Sequence, residues 1–287
     1  MKYTVTPCDL DYNTNKRIIE DLIKEYPFLN VRIIGRTAVG RSIFALSVGN
    51  TKNCGVYVGS VRGNDGLSGL ILLLFIERLS YAVKNNRSLA SVNIRKALSL
   101  SGVTVIPSLN LDGREIFLYG AGKAGRMSSF VSSFYNNKEA AEWISNAAGV
   151  DINLNFLPDK REGCTSPGPS LFCGDYPESE AETKSFTRLC RLGQFRQCLE
   201  LYGGEREIFY RSTEGEPVSS SMMAKILSCS ASLPVSCGIN TDHSGVSDWF
   251  IKEFRRPAFS MGTGGNYEKL YETYSSLEEA LTVFALL

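Results

Sequence analysis

Histidine is almost missing from these 287 residues: the chain holds one, His243. A centre that needs two or more imidazoles therefore cannot be assembled within a single copy. Neither sign of charge is in surplus, with 31 Lys and Arg against 30 Asp and Glu. Nucleic acid and anionic membranes call for a basic excess or stripe, so neither is expected as a partner. Long apolar runs are missing too. The longest, Leu70 to Ile76, is far too short to span a bilayer. The opening stretch, Met1 to Pro7, has no apolar core of the kind a signal peptide carries. A cytoplasmic location is the expectation, with export as the alternative if a leader precedes this stretch. Eight cysteines occur (Cys8, Cys54, Cys164, Cys173, Cys190, Cys198, Cys229 and Cys237), and none forms a C-x-x-C pair. That excludes a zinc ribbon and a thioredoxin-type redox motif. Reduced thiols are expected, with a Cys164–Cys173 bridge as the alternative in an exported protein. No G-x-S-x-G or S-x-x-K motif supplies a serine nucleophile.

What is present suits one large globular domain. The chain is 43% hydrophobic and 21% charged, which is ordinary for a protein that buries a core. No repeat, low-complexity tract or linker divides it, so residues 1–287 are expected to form a single domain. From Asn15 to Tyr26 the residues Ile18, Ile19, Leu22 and Ile23 fall on one helical face, and Pro27 ends that helix. Val31–Ile34, Ile43–Val48, Gly55–Val61 and Val103–Pro107 read as strands, and Leu67–Val83 as an apolar helix. Ser179-Glu180-Ala181-Glu182 has the spacing of a capping box. Strands alternating with helices predict an α/β fold with a central mixed, mainly parallel β-sheet covered by helices on both faces. Ligands bind such sheets where strands end and loops begin. That places Arg62 to Asp65, Asn110 and the Asn153 region on the functional rim.

Several motifs follow one another in a telling order. Tyr26-Pro27 leads to Ile34-Gly35-Arg36 and Gly40-Arg41-Ser42-Ile43. Next come Pro107-Ser108-Leu109-Asn110-Leu111-Asp112-Gly113 and Gly149-Val150-Asp151-Ile152-Asn153-Leu154-Asn155-Phe156. Ser166-Pro167-Gly168-Pro169-Ser170, Glu180-Ala181-Glu182-Thr183, Asp248-Trp249-Phe250-Ile251 and Arg256-Pro257-Ala258-Phe259-Ser260 complete the series. From about Tyr12 onward the chain resembles the zinc carboxypeptidases, in particular bacterial members that cut γ-D-glutamyl-diamino acid bonds in cell-wall peptides. The resemblance implies the carboxypeptidase fold, and a zinc ion held by two histidines and a glutamate beside a general-base glutamate.

The implied ligands are not in the sequence. Where the family has H-x-x-E, this chain has Arg62 and Asp65. The third ligand, a histidine, corresponds to Tyr202, and the general base to Gly262. The arginine that grips a substrate carboxylate corresponds to Leu154, beside Asn153. Ser247 corresponds to the floor of the specificity pocket, and no tyrosine lies between Gly238 and Ser247. The former active-site positions, expected to bind a substrate-like ligand, are thus Arg62, Asp65, Asn153, Leu154, Tyr202, Ser247 and Gly262, with no catalytic residue, metal ligand or cofactor expected among them. Arg62 is charged at any physiological pH, and Asp65 is its expected hydrogen-bonded partner. Together they either plug the old site or form an anion site for an acidic ligand. Two glycine-rich stretches carry less. Gly262 to Asn266 offers a backbone nest for an anion or a plain loop. Tyr119 to Arg126 superficially resembles a P-loop without its spacing and is expected to be a mobile loop. The functional expectation is a catalytically inactive family homologue that binds a peptide, an acidic small ligand or a protein partner. The alternatives are an active peptidase with an unrecognised site and a structural protein with a closed pocket.

Overall fold

The computed structural model describes residues 3–135, 142–156, 166–210, 215, 217–236, 245–265 and 267–287. The strands of its main sheet are β1 (Asn30–Arg36), β2 (Ser42–Val48), β3 (Cys54–Val58), β6 (Gly102–Ile106), β7 (Phe195–Tyr202), β8 (Ile208–Phe209), β9 (Val235–Ser236) and β10 (Ala258–Gly262). They lie in the order β1-β2-β6-β3-β7-β10-β8-β9. The centre, β6-β3-β7-β10, is parallel. The flank β1-β2-β6 and the β10–β8 pair are antiparallel, while β8 and β9 run parallel. Strands β3, β6 and β10 are buried along their whole length, which is why they read as continuous apolar runs rather than alternating ones. A short hairpin, β4 (Ser88–Leu89) with β5 (Val92–Asn93), stands apart.

Two cores lie on the two faces. On one, β2, β3, β6 and β7 pack Leu46, Tyr57, Val105 and Leu199 against α1 (Tyr12–Glu25), α2 (Leu67–Lys84), α3 (Ile94–Leu100), α7 (Ser220–Ala231) and α9 (Leu270–Phe284). On the other, Ile43, Val56, Ile106 and Cys198 face α6 (Ala181–Leu192) and α8 (Val246–Phe254). Helix α2 has apolar residues all round because it is buried all round: Leu70 through Ile76 have no exposed surface. Each such side chain contributes about 1.5–3 kcal/mol of burial free energy. Two shorter helices, α4 (Leu111–Tyr119) and α5 (Ser128–Tyr135), form a satellite with Trp143. No helix among the described residues is long and apolar enough to cross a membrane.

Three local readings need correction. The segment Tyr119 to Arg126 is not a loose loop: Tyr119 closes α4, and Ala121–Met127 is 3-10 helical. The Ser179–Glu182 capping box does not form. Ser179 Oγ instead donates to Glu180 and accepts from Asn155. Glu182 is fully buried, and burial first, then nearby Asp112, pushes its pKa up to about 8. On α1, Ile18, Ile19 and Leu22 are buried as expected while Ile23 stays exposed. The proposed Cys164–Cys173 bridge involves a cysteine outside the described residues, as does any role of His243.

Candidate functional site

The rim of interest forms where β3, β6, β7 and β10 end. After Val58 the chain turns through Ser60, whose φ of 46° is left-handed. The amide of Ser60 donates to Ser68 Oγ at 2.8 Å, and that hydroxyl donates to Asp65 Oδ2 at 2.7 Å. The Ser68 amide donates to Asp65 Oδ1 at 3.1 Å, so Asp65 caps the first turn of α2. A fourth bond crosses to β7: the Gly203 amide donates to Asp65 Oδ2 at 2.9 Å. A side chain at position 203 would press on this carboxylate, since an added Cβ would meet Asp65 Oδ1 at 3.0 Å.

Asp65 is therefore a structural acceptor, and the expected hydrogen-bonded pair with Arg62 is not formed. Both of its oxygens are held by Ser68 and Gly203. Burial raises its pKa, opposed by those hydrogen bonds and, among cations, by Arg114. Arg114 is itself nearly sealed from solvent. It donates to the carbonyls of Leu10 and Asn64 and to the Tyr267 hydroxyl, which in turn accepts from the Gly66 amide. Arg62 is half-buried, and its positive charge is felt by Glu200 and Tyr202. The Leu111-Asp112-Gly113 motif is also structural. Asn110 caps α4, and Asp112 is held by Thr37, Val39 and Arg41.

On the next strands, Tyr202 is buried at the end of β7, and its hydroxyl donates to the Glu205 carbonyl at 3.5 Å. Burial, then the charges of Glu207 and Glu200, raise its pKa. Gly262 pairs with Tyr202 across the β7–β10 ladder, and its amide donates to the Glu207 carbonyl at 2.9 Å. A Cβ on Gly262 would overlap the Glu205 carbonyl oxygen. The chain from Gly203 to Glu207 thus occupies the space where a side chain at 262 would start. The nest reading of Gly262 to Asn266 is corrected as well. The Thr263 and Gly264 amides are taken up by the Tyr202 and Gly204 carbonyls, and Asn266 lies outside the described residues.

Sequence reasoning missed Glu200. This carboxyl is buried in the middle of β7 beside its ladder partner Ser260. Ser260 Oγ donates to Glu200 Oε2 at 2.9 Å and lies 2.8 Å from Ser247 Oγ. Burial, moderated by Ser260 and Arg62, pushes the Glu200 pKa up to about 7. Asp65 and Asp151 contribute to that rise. The signal was available: an acidic residue inside the apolar run Phe195–Tyr202, where an unpaired charge is costly. The other expected positions lie around the same ends. Asn153 and Leu154 sit on a 3-10 turn, where the Asn153 amide donates to Asp151 Oδ1, and Gly245 packs against the Asn153 carbonyl. Ser247 is in the first turn of α8.

These residues do not fit a catalytic zinc ion. A guanidinium stands at one expected ligand position, a phenol at another, and the oxygens of Asp65 accept from hydrogen-bond donors. Among the described residues no group of three or more His, Cys, Asp or Glu side chains is placed to hold a metal.

Comparisons with known proteins agree with the architecture. The γ-D-glutamyl-L-diamino acid endopeptidase 1 of Lysinibacillus sphaericus is 25% identical over 283 residues, covering 96% of this chain and 71% of its own. An uncharacterized Bacillus subtilis protein, YqgT, is 23% identical over 279 residues, covering 94% and 74%. Thrombin-activatable fibrinolysis inhibitor superposes with a TM-score of 0.79 at 16% identity, over 99% of this chain and 79% of that one. Murein-tripeptide amidase MpaA of Escherichia coli O157 gives 0.58 at 16% identity, over 90% and 92%. The model of the zinc carboxypeptidase family matches residues 16–234. With that match and this fold, the chain belongs to the zinc carboxypeptidase family.

Proposed function

We propose that this family member no longer hydrolyses peptides and instead binds a peptide end through the rim around Arg62. The observation that carries the reading is the commitment of Asp65 to Ser68 and Gly203, with a guanidinium three residues before it. A metal-activated water needs free, electron-rich ligands. Here the equivalent atoms already accept hydrogen bonds, and the backbone at Glu205 fills the space beside Gly262. Arg62 supplies a permanent positive charge for a carboxylate. The names of two similar proteins, a γ-D-glutamyl-L-diamino acid endopeptidase and a murein-tripeptide amidase, make a cell-wall peptide the first ligand to try. The test has two arms. Elemental analysis and a γ-D-glutamyl-diamino acid peptide assay with and without chelator should give no stoichiometric zinc and no chelator-sensitive cleavage. Calorimetric titration with the same peptide should show saturable binding that Arg62→Ala weakens. One equivalent of zinc with cleavage overturns the reading. A second reading, a closed structural rim, is favoured by the Tyr202–Glu205 contact, and absence of any peptide binding would select it.

A further inference from the structure

We infer that the opposite end of the sheet carries a second binding site, for an amphiphilic anion with a phosphate or carboxylate head on an apolar body. A cavity of about 400 Å³ opens there, where β3 and β7 begin and β2 ends, far from the family's rim at the other ends of those strands. Its floor is small and polar. Ser47 and Thr104 exchange a 2.9 Å hydrogen bond, and the Cys54 thiol lies 3.7 Å from Thr104 Oγ1, all three nearly without solvent exposure. Its wall carries Arg32 and Lys52 and no carboxylate. Among the described residues neither cation head has a hydrogen-bond or ion-pair partner. Their charges are left for a ligand to meet.

The field at the floor is positive as well. Cys54 is governed first by burial, which raises its pKa, and next by the Thr104 hydrogen bond. The charges that act on it are the cations Arg196 and Arg32. Among the described residues Arg196 binds only neutral carbonyls, those of Asn53 and Ala285, and its buried Nε has no acceptor. A half-buried guanidinium with its buried Nε unsatisfied carries a cost, and an anion in the adjoining cavity would offset part of it. The cavity also has an apolar side. Phe195 and Leu192 line it, and a smaller hollow of about 200 Å³ continues past Leu192 to Ile33 and Arg188. Leu192 is 77% exposed and Ile33 56%, so an acyl or aryl body has a surface to cover. Two or more cations, polar floor groups and an apolar flank make the arrangement of a small-molecule site. The arrangement does not depend on what happens at Arg62.

The test uses hexyl phosphate and hexanoate as probes, with hexylammonium as the control, on the full chain at low ionic strength. Calorimetry gives affinity, and amide chemical shifts give location. The expected result is saturable binding of one or both anions but not of the cation, with shifts centred on Thr51–Cys54 and Gly193–Phe195. Preference between phosphate and carboxylate identifies the head group. Arg32→Glu and Lys52→Glu, both at exposed positions that leave folding intact, should each weaken binding by on the order of tenfold. Thr104→Val should weaken it without changing net charge. Failure of both anions to bind a folded protein, equal binding of hexylammonium, shifts confined to Arg62–Asp65 and Tyr202–Gly203, or affinity unmoved by Arg32→Glu would each overturn the site.

Discussion

Replacing Asp65 by alanine separates two accounts of the loop that follows β3. If Asp65 neutralised Arg62 inside the protein, its loss would strand a cation and cost about 3–5 kcal/mol. The observed bonds give a different sum. Loss of the Ser68 amide bond removes a helix cap worth about 1 kcal/mol. Loss of the Gly203 bond leaves a part-buried amide unsatisfied, worth about 1–3 kcal/mol. Against these stands relief of the burial that raises the Asp65 pKa, so the net should be about 2–3 kcal/mol. The single value overlaps the first account, and coupling energies separate them. Urea unfolding at pH 7, followed by circular dichroism, should be run on Asp65→Ala, Ser68→Ala, Arg62→Ala and the two double variants. Asp65 and Ser68 should couple by about 1 kcal/mol or more, and Asp65 and Arg62 by less than about 0.5 kcal/mol. A coupling above about 1 kcal/mol between Asp65 and Arg62 would refute the reasoning.

Glu200→Gln should leave stability near pH 5 almost unchanged and raise it by on the order of 1–3 kcal/mol at pH 8. The sign follows because the folded pKa of about 7 lies above the unfolded carboxylate value, so Glu200 contributes stability at low pH that is lost as pH rises through 7; a constant difference in melting temperature from pH 5 to pH 8 would exclude it. Gly262→Ala should destabilise by about 3 kcal/mol through overlap with the Glu205 carbonyl, read by thermal unfolding; a neutral change would show that the 203–207 segment yields freely. The combined variant Arg62→His, Asp65→Glu, Tyr202→His and Gly262→Glu should fail to bind zinc in competition with a chromogenic chelator, because restoring the residue types alone would have restored the site only in an unaltered frame; one bound equivalent would contradict the closure at Glu205.

Half of the sheet's eight strands and helix α2 were legible because buried strands and a wholly buried helix leave unmistakable apolar runs. Leu67–Val83 becomes Leu67–Lys84, and Val103–Pro107 becomes Gly102–Ile106. What failed depended on contacts made by residues far apart in sequence. Ser179 and Glu182 have capping-box spacing, yet Asn155, 24 residues away from Ser179, takes the serine hydroxyl. Tyr119 to Arg126 has three glycines among its residues, yet Arg41 reaches from 82 residues away to bond the Lys123 carbonyl and hold it. Local spacing carries no information about such partners.

The candidate site was legible in place and illegible in logic. The sequence located Arg62, Asp65, Tyr202 and Gly262 by their order along the chain, and the strand ends do bring Asp65, Tyr202 and Gly262 to one rim. Pairing by nearest opposite charge then assigned Asp65 to Arg62, which is the economical guess for two residues three apart. The fold chose otherwise because three donors converge on Asp65: two from Ser68 at the start of α2, and one from Gly203 at the end of β7. A carboxylate that satisfies them is worth more in place than one that turns away toward a half-buried cation. The charge of Arg62 then acts on Glu200, which no local pattern joins to it. The expected ligand positions are therefore not a vacancy in this fold. Asp65 and Tyr202 meet the neighbouring backbone at Gly203 and Glu205, and Gly262, having no side chain, leaves room for the Glu205 carbonyl. The consequence is directional: backbone contacts at Gly203 and Glu205 occupy this rim, so changing side chains alone does not clear the space a metal would need.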